Sequence, residues 1–135
     1  MKNAEKYLDT KVLLLKNARL KVLALHKSLL DEERNSFEQL NGQITSGQFL
    51  NLLVNDENFQ WLRTFSTLIV EIDEMMNLDD GFTESMIDNH LSKIRSLVNF
   101  ELADEDFKFR FRNFIQTNAD IALKNSEIKE MLAGE

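Results

Sequence analysis

Cysteine and proline are absent from the 135 residues, and glycine occurs only four times. Without cysteine there is no disulfide framework and no thiolate metal site, which is compatible with a reducing compartment. Without proline and with little glycine, long uninterrupted helices are favoured over a turn-rich β protein. No apolar run approaches the roughly 20 residues that span a membrane. The opening Met1-Lys2-Asn3-Ala4-Glu5 leads into a charged segment, not an apolar signal region. These absences predict a cytoplasmic protein with no membrane partner. No Gly-x-Ser-x-Gly elbow is present to orient a nucleophile. Gly42 and Gly47 lack the Lys-Ser/Thr that would complete a phosphate loop.

Charge is the next clue, with a net of −7. Residues 1–30 hold seven Lys/Arg against two acids, a net of +5. Residues 31–106 hold four against seventeen, a net of −13, and residues 107–135 hold five against four. A basic first helix lying on an acidic remainder accounts for this by internal complementarity. A basic nucleic-acid arm is the sharper alternative, but the field of an acidic chain repels phosphate. We therefore expect no nucleic-acid partner.

The strongest periodic signal runs from Leu8 to Phe37. At about 100° per residue, Val12, Leu15, Val22, Leu29, Leu30 and Phe37 fall within about 60° of Leu8. Arg19, His26 and Glu33 fall there too, seven apart, as a polar line within an apolar stripe. The first helix is predicted to begin between Ala4 and Asp9 and to end near Leu40, with Asn41-Gly42 as its stop. Thr45 and Gln48 have capping-box spacing for a short helix, Phe49 to Val54. A third helix, about Glu57 to Asn77, places Trp61, Phe65, Leu68, Ile69, Ile72, Met75 and Met76 on one face. A fourth, capped by Thr83, covers about Glu84 to Leu102, with His90 beside its inner face. Phe107-Lys108-Phe109-Arg110-Phe111-Arg112 alternates like a strand, yet a lone strand has no partner for its backbone groups. As a helix it gathers Phe107, Phe111, Phe114 and Ile115 and turns Phe109 outward. A bend or restart is expected near Asn118, then a last amphipathic stretch from Asp120 to Leu132. The expected fold is a single all-α domain over 1–135. Its expected form is an antiparallel up-and-down bundle of four main helices, with a short helix between the first two.

Two segments carry a resemblance: Leu25-His26-Lys27-Ser28-Leu29-Leu30-Asp31-Glu32-Glu33-Arg34, and Trp61-Leu62-Arg63 through Leu68-Ile69-Val70-Glu71-Ile72-Asp73. Together they resemble a family of small bacterial all-helical proteins with no established activity. Relatives often carry proline after the Trp-Leu-Arg, where this chain has Thr64. The resemblance covers about a quarter of the chain. It implies a helical fold and a bacterial cytosolic setting, and transfers no catalytic residue.

The candidate polar residues are Arg19, His26, Glu33, Arg34, Asp73 and His90. As a buried network, Arg19 or Arg34 would pair with Glu33 or Asp73, and His26 would take a hydroxyl or carboxylate partner. Glu33→Ala would then cost about 3–5 kcal/mol through the partner left unpaired. As a binding site, His26, Glu33, His90 and Asp73 would offer imidazole and carboxylate to a metal or small ligand. A di-metal bundle needs Glu-x-x-His on two helices, but residue 23 is leucine and residue 87 isoleucine. No cofactor is called for. Arg19-x6-His26 is also similar to the Arg/His motif of helical HEPN ribonucleases, a string that any basic helix can produce. The leading expectation is a non-enzymatic interaction module, associating with itself or another protein. A small-ligand or metal-binding bundle around His26 and Glu33 is the alternative.

Overall fold

A helix of forty residues is about 60 Å long and must find cover along its apolar sides. In the computed structural model, which describes residues 2–102 and 104–133 and side chains from Lys6 onward, that helix is α1, Lys2–Asn41. After it come α2 (Ser46–Asn55), a 3-10 helix (Glu57–Leu62), α3 (Arg63–Met76), α4 (Glu84–Val98), α5 (Glu105–Thr117) and α6 (Ala119–Leu132). The described residues contain no strand, so the fold is all-α. α1 packs against α3, α4 and α6, while α2 rests mainly on the 3-10 helix.

The line of α1 that is most deeply covered is Lys11, Leu15, Ala18, Val22, Leu25 and Leu29. Its alternating steps of four and three are those of a helix seated among neighbours. This corrects the expected centre of the stripe. Arg19, His26 and Glu33 are only half-buried, on an edge about 70° around the helix from the buried line. The physical reason is cover on three sides. With α4 over the middle and α3 and α6 on either flank, apolar residues extend so far around α1 that the polar line looks central. Its members occupy the α3 flank, where partners and water are both in reach.

Helix ends follow local chemistry. Gly42, at φ +85°, closes α1 by donating its N–H to the Glu38 carbonyl at 2.8 Å. The Thr45–Gln48 capping box is formed, with Gln48 N–H to Thr45 Oγ1 at 3.1 Å and Thr45 N–H to Gln48 Oε1 at 2.8 Å. Asp56, Thr83, Asp104 and Asn118 each accept a backbone N–H from the first turn that follows. The segment expected as one helix from Glu57 opens instead as a 3-10 helix. α4 also stops at Val98, short of Leu102. There Phe100 adopts φ +59° and Glu101 N–H reaches back to the Ser96 carbonyl at 2.9 Å, a helix stop usually built on glycine. The left-handed backbone costs Phe100 about 1–2 kcal/mol. Its ring is held 5.3 Å from that of Phe111, with Arg112 and Lys129 over it at 5.0 and 5.8 Å.

An aromatic centre joins α3 to α5. The Phe65 ring lies 5.4–5.6 Å from those of Phe107 and Phe111 and 6.2 Å from that of Trp61. Trp61 also stacks on Phe114 at 5.9 Å. Phe65, Phe107 and Phe111 are fully buried. Phe65→Ala is therefore expected to destabilise by about 3–5 kcal/mol. Urea unfolding should show this as a lower midpoint with an unchanged m-value, and a loss below about 1 kcal/mol would contradict this packing.

Candidate functional site

The polar line separates into local contacts. Arg19 forks onto Asp73 of α3, with Nε to Oδ1 at 2.5 Å and Nη2 to Oδ2 at 2.9 Å. The carboxylate raises the guanidinium pKa above its ordinary value. One turn pair further along α1, His26 stacks on Phe65 at 5.8 Å with ring planes 15° apart. Its burial lowers its pKa. Another two turns on, Glu33 accepts a long hydrogen bond from Trp61 Nε1 at 3.4 Å. Burial raises the Glu33 pKa, against the opposing influence of Trp61 and Arg110. Glu33 has no ion pair among the described residues, so the large loss expected for Glu33→Ala does not follow.

Arg34 turns away from this line. It donates to the Ile44 carbonyl at 2.7 Å, lies 3.6 Å from Glu38 and sits 5.7 Å over the Phe49 ring. It thereby ties the α1–α2 loop to the end of α1. His90 is buried on α4, its Nδ1 without a hydrogen-bond partner among the described residues. Desolvation and nearby Lys93 lower its pKa, while Glu71 acts the other way. The six candidates are thus divided among Arg19–Asp73, His26–Phe65, Glu33–Trp61, an Arg34 loop anchor and a separate His90. Among the described residues, no group of three or more His, Cys, Asp or Glu is placed to hold a metal ion. Arg19 is engaged by the Asp73 carboxylate, whereas His26 lies face-on against the Phe65 ring.

Sequence reasoning missed Lys11, which is buried within the apolar line of α1. Its ammonium lies 2.8 Å from both Glu84 and Asp88 of α4. Asp88 and then Glu84 hold it protonated well above the ordinary lysine range. The signal was the basic first helix opposite an acidic remainder, and Lys21–Glu127 at 3.4 Å repeats it toward α6. Asn125 was also missed. It is buried on α6 between Ile121 and Ile128 and donates to the Val98 carbonyl at 3.3 Å, while its Oδ1 has no partner among the described residues.

Two clefts flank Arg63. One, of about 240 Å³, lies between α1 and α2 and is lined by His26, Leu30, Leu50, Leu53, Val54, Phe59, Leu62, Arg63 and Ser66. Among the described residues no carboxylate lines it. Arg63 Nη2 donates to the Val54 carbonyl and fixes the end of α2 at its rim. The other, of about 490 Å³, lies between α3 and α4. Leu68, Leu97 and Leu102 form its apolar wall, and the Lys93–Glu71 pair closes one end. Outside both clefts Phe109 stands 73% exposed on α5.

Comparison with protein-family models, with curated proteins and with solved structures gives no match to this chain. No helix among the described residues is long and apolar enough to cross a membrane.

The titrations lead to two expectations. His26 and His90 have folded pKa values below their unfolded ones, so acidification through pH 6.5 favours the unfolded chain, which binds more protons. The melting temperature should fall between pH 7.5 and 5.5, and His26→Gln should flatten that slope; an unchanged slope would count against a buried neutral His26. Glu33 has the opposite sign, since its raised pKa makes the ionised form costly above the carboxylate range. Glu33→Gln should raise the melting temperature at neutral pH, with the gain vanishing below pH 4.5. A loss at neutral pH would mean that the charge of Glu33 is stabilised by a partner.

Proposed function

We propose that this chain is a non-enzymatic interaction module of the bacterial cytoplasm, and that it self-associates through α2 and the His26 cleft. The observation that carries this reading is α2. Its ten residues contain no charge and five large apolar side chains, Phe49, Leu50, Leu52, Leu53 and Val54. Only Phe49 is buried, and Leu50 and Val54 are 61% and 52% exposed. Apolar surface left in water costs about 25 cal/mol per Å², so cover from outside is favoured. An uncharged helix meets its own copy without like-charge repulsion, and a twofold contact uses one patch twice. The antiparallel up-and-down arrangement of the main helices belongs to the same proposal. It is supported by Arg19 meeting Asp73 while Glu33 meets Trp61, and by Lys21 meeting Glu127 while Ser28 meets Asp120. Kinship with small bacterial helical proteins rests on the Leu25–Arg34 and Trp61–Asp73 segments.

A small-ligand bundle is the second reading, supported by His26 and Ser66 lining one cleft with an apolar wall. Sedimentation velocity across micromolar concentrations separates the two. Wild type should dimerise, and Leu50→Glu with Val54→Glu should leave a folded monomer. A wild-type chain that stays monomeric throughout would exclude self-association. A small-molecule adduct in native mass spectrometry, lost in His26→Ala, would favour the second reading.

A further inference from the structure

A further cleft, of about 270 Å³, lies between the end of α1 and the start of the 3-10 helix. Phe37, Leu40 and Phe59 form its apolar wall, with the Phe37 and Phe59 rings 6.1 Å apart and edge to face. Glu33, Ser36 and Asp56 supply it with oxygen acceptors. Trp61 Nε1 reaches only one oxygen of Glu33, and Asp56 uses one of its own to accept the Asn58 N–H at 2.8 Å. Among the described residues neither carboxylate forms an ion pair, and no lysine or arginine lines the cleft. Arg110 influences Glu33 from outside it, with Nε donating to Asp106 at 3.0 Å and Nη1 to the Asn58 carbonyl at 3.0 Å. The surrounding chain deepens the imbalance. Residues 31–57 hold six acids and one cation, Arg34, which is tied to Ile44 and Glu38.

We propose that this cleft binds a primary ammonium carried on a short apolar stem, that of a free amine or of a lysine side chain. An ammonium has three N–H donors and no acceptor, which matches a lining of carboxylate and hydroxyl oxygens. Its charge is drawn in by Glu33, by Asp56 and by the negative field of the whole chain. Its methylenes cover Phe37, Leu40 and Phe59, and an aromatic face attracts the cation itself. The same carboxylates repel an anion. A hard metal ion surrounds itself with oxygen ligands, and an apolar wall on one side denies it that shell. Glu33 is the anchor. Burial makes its ionised form costly while no cation pairs with it, and an ammonium removes that cost. No residue of α2 lines the cleft, so the proposal stands whether or not α2 pairs.

The test titrates the full chain with butylammonium chloride, with Nα-acetyl-lysine amide and with uncharged n-butanol. Trp61 is the only tryptophan and bonds to Glu33, so its emission reads the site. Both ammonium probes should shift that emission and saturate at concentrations on the order of millimolar, more weakly as salt rises. The alcohol should not. Glu33→Gln should weaken binding by roughly tenfold or more, and Asp56→Asn, which keeps an oxygen for the helix cap, should weaken it too. Butylammonium should raise the melting temperature of wild type and leave that of Glu33→Gln unmoved. Tighter binding of the lysine amide would assign the ammonium to a partner's lysine, and tighter binding of butylammonium to a free amine; either order supports the site. No saturable shift, equal binding of the alcohol, or an affinity unchanged in Glu33→Gln would each overturn the proposal. So would displacement of butylammonium by magnesium chloride at matched ionic strength, which would make the cleft a metal site.

Discussion

Everything in this fold depends on covering the apolar line of α1 from Leu15 to Leu29. No single neighbour can do it, since the apolar residues of α1 extend around too much of its circumference. Three helices share the work, and each is registered against α1 by a polar contact at its edge. Arg19 sets α3, Lys11 sets α4 through Glu84 and Asp88, and Lys21 sets α6 through Glu127. The carboxylates of these pairs are half-exposed to water, which limits what each pair adds to stability. Their value here is orientation, because hydrophobic contact alone lets helices slide by a turn.

The same asymmetry bears on function. Charge on α1 is consumed where it faces the rest of the chain and left over where it faces outward. Lysines on the inner side and flank are matched by carboxylates, whereas Lys16 and Lys27 remain among exposed leucines. α2 shows the opposite condition, an apolar segment with no charge at all. The two exposed apolar surfaces thus differ in chemistry, one interspersed with charge and one without any.

Much of this was legible in the sequence, and what was missed has identifiable causes. The capping residues Thr45 and Thr83 announce helix starts because a side-chain oxygen before an apolar run has few other uses, whereas near Asn118 only a bend or restart could be read. The outward Phe109 could be read from the spacing of Phe107, Phe111 and Phe114. The depth of the polar line could not, because a helix covered on three sides has no single apolar centre to locate by counting. The early end of α4 was hidden because its left-handed residue is phenylalanine, held by Phe111 and two cations distant in sequence. The Arg19–Asp73 fork was one of several pairings open to the charges, and only the approach of α3 selects among them. The cleft beside α2 had no sequence signal, since its wall comes from three separate segments.

Asn118 is at once the last cap of α5 and the first cap of α6, so a single extended residue joins two helices. Such a joint has no slack. One inserted residue would rotate α6 by about 100° relative to α5, taking Ile121 and Ile128 off the core and Glu127 away from Lys21. Lengthening in the course of evolution is thus barred at this corner, while the residues between Met76 and Glu84 can absorb it. Homologous chains that differ in size should vary there and keep this corner at constant length.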